Sequence, residues 1–268
     1  MDRLGIEFIS TLGMPPAEFV EVAAALGVEH IGFAPAPITD NPHGFAPWDL
    51  RNDPALVRAT RAALDEHGIK VSLGEGFLIM PELEIGDSIP TLDIMAELGA
   101  PQVNAVVIEQ DRARAFDQFA RFAEMAAARG LGALIEFMPM MWPATIDETL
   151  AFITDSSAAN AKLLVDAMHF FRSGATRADL ARIDPARIGY VQLCDVPMPA
   201  QVTDYGAEAR HDRLCPGEGD LPLAEFLRAL PSEVIVGLEV PMVSKARAGV
   251  SVRDALAPCV AAARGLLG

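Results

Sequence analysis

Cysteine is nearly absent from this chain: three in 268 residues, Cys194, Cys215 and Cys259. An odd and widely spaced set argues against a disulfide framework and predicts reduced thiols. No two of them stand as Cys-x-x-Cys, which excludes a zinc finger or a dithiol redox motif. Long apolar runs are lacking too. None approaches the ~20 residues needed to cross a bilayer, so no membrane partner is expected. The start, Met1-Asp-Arg-Leu-Gly5, shows no charged-then-apolar leader, and a cytoplasmic location is expected. Basic residues are short as well, 21 Lys and Arg against 37 Asp and Glu, a net charge of −16. A surface this acidic repels phosphate backbones and disfavours a nucleic-acid partner. Finally, no Gly-x-Gly-x-x-Gly turn follows the first apolar segment. The residues there are Ser10-Thr-Leu-Gly13-Met-Pro-Pro16, which counts against a dinucleotide-binding open sheet.

What is present is a strict alternation. Apolar strands are expected at 5–9, 30–34, 69–74, 102–108, 133–136, 161–166, 188–193 and 234–239. Between them lie helical patterns punctuated by caps and stops. Pro16 opens one helix and Gly27 stops it. Asp53-Pro54 opens the next, which runs to His67-Gly68. A third ends at Leu98-Gly99, and a fourth covers 112–129 before Gly130. Thr145-Ile-Asp-Glu148 has the form of a capping box, and Ser251 caps the last helix. Two connectors are long. Residues 35–52 are rich in Pro, Gly, Asn and Asp and read as a lid or a contact surface. Residues 195–220 carry Arg210-His-Asp-Arg213 and Pro216-Gly-Glu-Gly-Asp220. Eight strand–helix alternations without a break in composition predict one domain over 1–268, a closed (β/α)8 TIM barrel. An active site is then expected at the carboxy ends of the strands.

Four of those ends are polar. Strand five ends on Glu136, strand six on Asp166, strand seven carries Gln192, and strand eight ends on Glu239. An apolar strand that stops on a carboxylate places it at a rim, because burying it unpaired is costly. Strands five to eight are neighbours in a barrel, so these groups converge on one arc of the mouth. Three carboxylates that close repel one another unless a cation sits among them. Oxygen donors with one amide suit Mn²⁺ best, then Mg²⁺ or Co²⁺, with Zn²⁺ less suited. Cys194 shares the face of Gln192 and is read as packing. His169, three residues past Asp166, is a polar contact, a substrate hydrogen-bond partner or a base. Arg213 is either a surface charge or an anchor for a substrate oxyanion. Glu75, after strand three, either lines the pocket or is solvated. Phe137, Met138, Met140, Met141 and Trp142 form an apolar roof. It is read as a water-excluding wall that touches substrate through Trp142, with core packing or a homo-oligomer interface as the plain alternative.

The ordered series Glu136, Asp166-x-x-His169, Gln192-x-x-Asp195, Pro216-Gly-Glu-Gly-Asp220 and Glu239 resembles the xylose isomerase-like TIM barrels, the sugar-phosphate isomerase/epimerase superfamily. The resemblance covers essentially the whole chain, most clearly 131–241. It implies a divalent metal at Glu136, Asp166, Gln192 and Glu239, with the two glutamates flanking the carbonyl and carbinol carbons of a carbohydrate or keto-polyol. Isomerase or epimerase chemistry, starting with proton abstraction next to a carbonyl, is the expected activity, with Glu136, Glu239 and His169 as catalytic groups. Many sugar epimerases of the group have histidine where Gln192 stands. Glutamine there resembles the bacterial 3-dehydroshikimate dehydratases and implies a lyase as the alternative. A non-catalytic sugar- or metal-binding barrel is the remaining reading. Endonuclease IV, also of this group, needs a histidine-rich zinc cluster that five scattered histidines do not supply.

Overall fold

The computed structural model describes residues 2–268; Met1, with which the reading of the chain's start begins, lies outside them. Eight parallel strands close on themselves in chain order. They are β1 Leu4–Ile6, β2 His30–Phe33, β3 Lys70–Ile79, β4 Gln102–Val107, β5 Gly132–Glu136, β6 Lys162–Asp166, β7 Ile188–Leu193 and β8 Val236–Leu238. Around them run α1 Pro16–Ala25, α2 Pro54–His67, α3 Ile89–Glu97, α4 Arg112–Ala127, α5 Ile146–Asp155, α6 Ala167–Arg172, α7 Arg177–Ala181, α8 Tyr205–His211, α9 Leu223–Arg228, α10 Val243–Arg247 and α11 Val252–Leu267. The expected (β/α)8 barrel is the observed one. None of the described helices is long and apolar enough to cross a membrane.

Local chemistry accounts for the helix starts. Asp53 accepts from the amides of Ala55 and Leu56, and Asp111 from those of Ala113 and Arg114, each satisfying first-turn donors that have no helical partner. Thr145 caps α5 through the Glu148 amide. The core is an annulus of aliphatic and phenylalanine side chains between sheet and helices. Inside the barrel a separate small layer, Leu73, Leu134, Leu164 and Tyr190, closes the floor below the mouth.

Among the departures from the expected elements, three bear on the site. The first strand stops at Ile6, and Phe8–Thr11 turns into a 3-10 helix. The third does not stop at Gly74 but runs to Ile79, with a shift of register against β4 between Gly74 and Phe77. Gly76 sits in that bulge at φ +90°, a conformation open to glycine. Glu75 is thereby part of the strand. The connector after β7, expected as a loop, contains α8, capped by Asp204 at the Ala207 amide.

The three cysteines also correct the expectation of reduced thiols. Cys215 and Cys259 are bonded to each other across 44 residues, and only Cys194 is free. Spacing along the chain carried no sign of this, because the loop after β7 and helix α11 meet only in the folded barrel.

Candidate active site

The strand register sets the groups side by side. Asp166 pairs with Gln192 across β6 and β7, and Gln192 with Gly237 across β7 and β8. Side chains two apart on a strand share a face, so Glu239, two beyond Gly237, points to the same interior. Glu136, Asp166, Gln192 and Glu239 are all buried. Glu136, Glu239, His169, Glu75, Asn104 and Arg213 line one cavity of about 490 Å³ at the mouth.

Asp166 is held at both oxygens. Its Oδ1 accepts the His169 amide at 2.8 Å as the cap of α6, and Oδ2 accepts Arg213 Nη1 at 2.7 Å. Burial pushes its carboxyl up, but Arg213, His169 and the amide outweigh that and hold it below the usual carboxylate range. The cap also decides where His169 goes, with its ring 3.5 Å from Glu136 Oε1 through Nε2 and hydrogen-bonded to the Tyr205 hydroxyl through Nδ1. Burial lowers the His169 pKa to about 4, so the imidazole is neutral.

Arg213 is not a surface charge, and its head is engaged by protein rather than left free for a substrate anion. It is 4% exposed. An antiparallel bridge between Asp212 and Met242 and the bond from the Arg213 amide to the Pro241 carbonyl bring it in. Its Nε donates to the Ala209 carbonyl at 2.8 Å, and Nη1 also lies 2.6 Å from Glu239 Oε2. That last contact is off the hydrogen-bonding direction, and Glu239 Oε2 keeps no hydrogen-bond partner. The two segments of the long loop therefore do different things. Arg213 enters the site, whereas Asp195 staples the glycine-rich segment, accepting the amides of Val196, Gly217 and Leu221.

Glu75 is buried in the cavity wall and accepts from the Gln192 amide at 3.0 Å. Trp142 is not in the cavity. Its ring packs on Phe116 and Phe152, with the Arg112 guanidinium 4.6 Å above it. The substrate contact expected of it is corrected: only Met138, Met140 and Met141 of that segment reach the lining.

Sequence reasoning missed Glu7. It is fully buried just past β1, accepting the Tyr190 hydroxyl at 2.7 Å, and Tyr190 in turn shares a hydrogen bond with Ser72. Burial raises its pKa to about 8. Room for it exists because the flanking strands carry Gly32 and Gly237, where a Cβ would lie 1.8 and 1.5 Å from its carboxylate oxygens. The available signal was a carboxylate inside an apolar run, Leu4-Gly-Ile-Glu-Phe-Ile9. Asn104 and Tyr205 were missed too. Asn104 Nδ2 lies 3.4 Å from Glu136 Oε2.

The donor chemistry fits a divalent cation. Five buried carboxyl groups, Glu7, Glu75, Glu136, Asp166 and Glu239, share a single buried guanidinium, Arg213. Burial, with Asp166 next in weight, pushes Glu136 up to about 8. Burial also raises Glu239 well above its ordinary value, although Arg213 opposes this. Gln192 Oε1, Glu75 Oε2 and Asn104 Oδ1 are buried with no hydrogen-bond partner, which normally costs stability unless something else binds there. Among the described residues no three His, Cys, Asp or Glu groups already stand in a coordinating arrangement. The Arg213 guanidinium lies between Asp166 and Glu239.

The comparisons agree with this architecture. Residues 20–256 match the family model described as xylose isomerase-like TIM barrel. A 3-dehydroshikimate dehydratase of Pseudomonas aeruginosa is 29% identical over 145 residues, 50% of this chain and 22% of that protein. The chain thus matches about a fifth of that relative's length. Among solved structures, the IolI protein with a bound zinc atom superposes with a TM-score of 0.80 at 16% identity, over 99% of this chain and 98% of that one. D-psicose 3-epimerase with D-tagatose, from Clostridium cellulolyticum H10, superposes with a TM-score of 0.72 at 15% identity over 99% of each chain. At such identities the superpositions establish the fold, and the family model, spanning most of the barrel, places the chain in the xylose isomerase-like TIM barrel family.

Proposed function

We propose that this protein is a divalent-metal-dependent isomerase or epimerase of a sugar- or polyol-derived hydroxyketone, acting by proton abstraction next to the carbonyl. The observation that carries this reading is that Glu136, Glu239 and His169 line one cavity while Asp166 and Gln192, paired across neighbouring strands, are buried directly behind it, bonded to its lining residues Arg213 and Glu75. Fold alone does not decide function, so the reading rests on the groups in this cavity. Glu136, Asp166, Gln192 and Glu239 would hold the cation, Mn²⁺ before Mg²⁺, Co²⁺ or Zn²⁺ on donor type. When bound, it would polarise the substrate carbonyl and stabilise the negative charge that develops as the neighbouring C–H loses its proton.

The chain's own groups supply the rest. Glu136 and Glu239 stand on β5 and just past β8, and one of them takes the carbon-bound proton. Returning the proton to the other carbon isomerises the substrate, and returning it to the other face epimerises it. His169, neutral and fixed by Tyr205 and the Asp166 cap, can hydrogen-bond a substrate oxygen or serve as a base. Arg213 limits the charge of the cluster. Gln192 offers a neutral oxygen, its amide nitrogen being turned to Glu75.

Loss of a β-hydroxyl after the same first step would make the enzyme a dehydratase. Gln192 and the 29% identical stretch of a dehydratase favour that second reading. Keto-sugars, inososes and 3-dehydroshikimate incubated in D₂O with Mn²⁺ provide the test. A true substrate exchanges the proton next to its carbonyl or delivers deuterium to product. Glu136→Gln or Glu239→Gln should slow this by roughly 10²–10⁴-fold, the contribution of a positioned acid or base. Metal binding without exchange for any of them would support a non-catalytic barrel, and wild-type exchange in both variants would move the base to His169.

A further inference from the structure

The cavity changes character from floor to rim. Glu75, Asn104, Glu136, His169, Arg213 and Glu239 are all buried at its base. Above them the wall is Ile38, Leu78, Ile108, Met138, Met140 and Met141. Ile38, Leu78 and Met140 are 45%, 40% and 54% exposed, and they are three of the seven large apolar side chains that the described residues leave exposed. Such residues gathered on one rim above a polar floor are a binding surface rather than scatter. Of the polar lining groups only Tyr205 and Arg210 belong to the outer part; the Tyr205 hydroxyl pairs with His169, and Arg210, exposed, spends only its Nε on the Gly206 carbonyl.

A free ketohexose carries hydroxyls along its whole length. Arg210 can meet one or two of them; the rest, laid against the apolar side chains, would give up water with nothing there to replace it, each lowering affinity by roughly 5- to 150-fold. Methionine is soft and adaptable and packs well on rings and irregular apolar shapes. Resting on the functional reading above, we infer that the substrate is a hydroxyketone bearing an apolar body: the polar head meets the carboxylate cluster, and an aromatic, alicyclic or alkyl portion lies against the methionine wall.

Binding measured by isothermal titration with Mg²⁺ present tests this apart from catalysis. The probes are hydroxyacetone, 1-hydroxybutan-2-one, 1-hydroxypentan-2-one and 2-hydroxyacetophenone, with D-fructose for comparison. Affinity should rise by up to about fourfold per added methylene, with the aryl ketone at least tenfold tighter than D-fructose. The exposed-site double variant Leu78→Asn/Met140→Asn should lose most of that gradient. A flat series, D-fructose binding as well as the aryl ketone, or a gradient that survives in the double variant would each overturn the inference. Graded binding with no proton exchange would leave it standing and remove the catalytic reading instead.

Discussion

Replacing Arg213 with methionine isolates the electrostatic problem at the heart of the barrel. The guanidinium lies 2.7 Å from Asp166 Oδ2 and 2.6 Å from Glu239 Oε2, with all three side chains less than a tenth exposed. Methionine fills much of the same volume and removes the charge. Two buried carboxylates then face each other, with Glu136 nearby. Breaking a buried pair by deleting one partner typically costs about 3–5 kcal/mol. The upper end is limited because Glu239, already raised above its ordinary value, can take up a proton instead of staying charged. For a chain of this size, a loss of 3–5 kcal/mol corresponds to a fall in Tm of roughly 6–20 °C. The assay is urea unfolding followed by circular dichroism at pH 7 with EDTA. Two companion results are expected. Arg213→Met/Glu239→Gln should be more stable than Arg213→Met alone, because the second change removes the orphaned charge. Millimolar Mn²⁺ should stabilise Arg213→Met more than wild type, since a dication can replace the missing cation; binding at a hundredfold excess over Kd gives about 2.7 kcal/mol. A loss below about 1 kcal/mol in EDTA, with no rescue by Glu239→Gln, would refute this account of the cluster.

Other consequences are simpler. Gly237→Ala should destabilise by at least the 1–3 kcal/mol of an overpacked core, because its Cβ would meet the Glu7 carboxylate at 1.5 Å. Adding Glu7→Ala should return part of the loss, and strictly additive effects in that cycle would contradict the packing described. The Cys215–Cys259 link closes a 44-residue loop, so reduction should lower stability by up to about 4 kcal/mol in the chain-entropy view. Alkylation in denaturant without reductant should then label one cysteine, and labelling of all three would dismiss the link. His30, lowered first by burial and next by Lys70, favours its neutral form in the folded state. The unfolded chain therefore binds more protons below its ordinary pKa of 6.5. Stability should fall as pH drops through that value, and His30→Asn should show a shallower fall in pH-dependent unfolding.

Periodicity made the barrel legible. Eight short apolar runs alternating with capped helical patterns allow few parallel arrangements, and the caps at Asp53, Thr145 and Ser251 stand where local chemistry requires. The carboxylates closing β5, β6 and β8 were legible for the same reason: an acid after an apolar run must find a rim or a partner. Their partners were not legible. Arg213 could be a surface charge or a site group, and only the bridge to Met242 decides that it is buried. Trp142 sits one residue from a cavity-lining methionine but turns onto Phe116 and Phe152, a choice made by the packing of α4 and α5.

The sequence by itself determined the fold class and the four polar groups at the ends of neighbouring strands, because strand alternation and the cost of burying charge act locally along the chain. Only the tertiary structure decided that Glu7 belongs beneath the cluster, that Cys215 meets Cys259, and that Arg213 lies between Asp166 and Glu239. Each of these contacts joins residues 26 or more positions apart. Such pairings leave no trace in spacing or periodicity, and exist only once the barrel has closed.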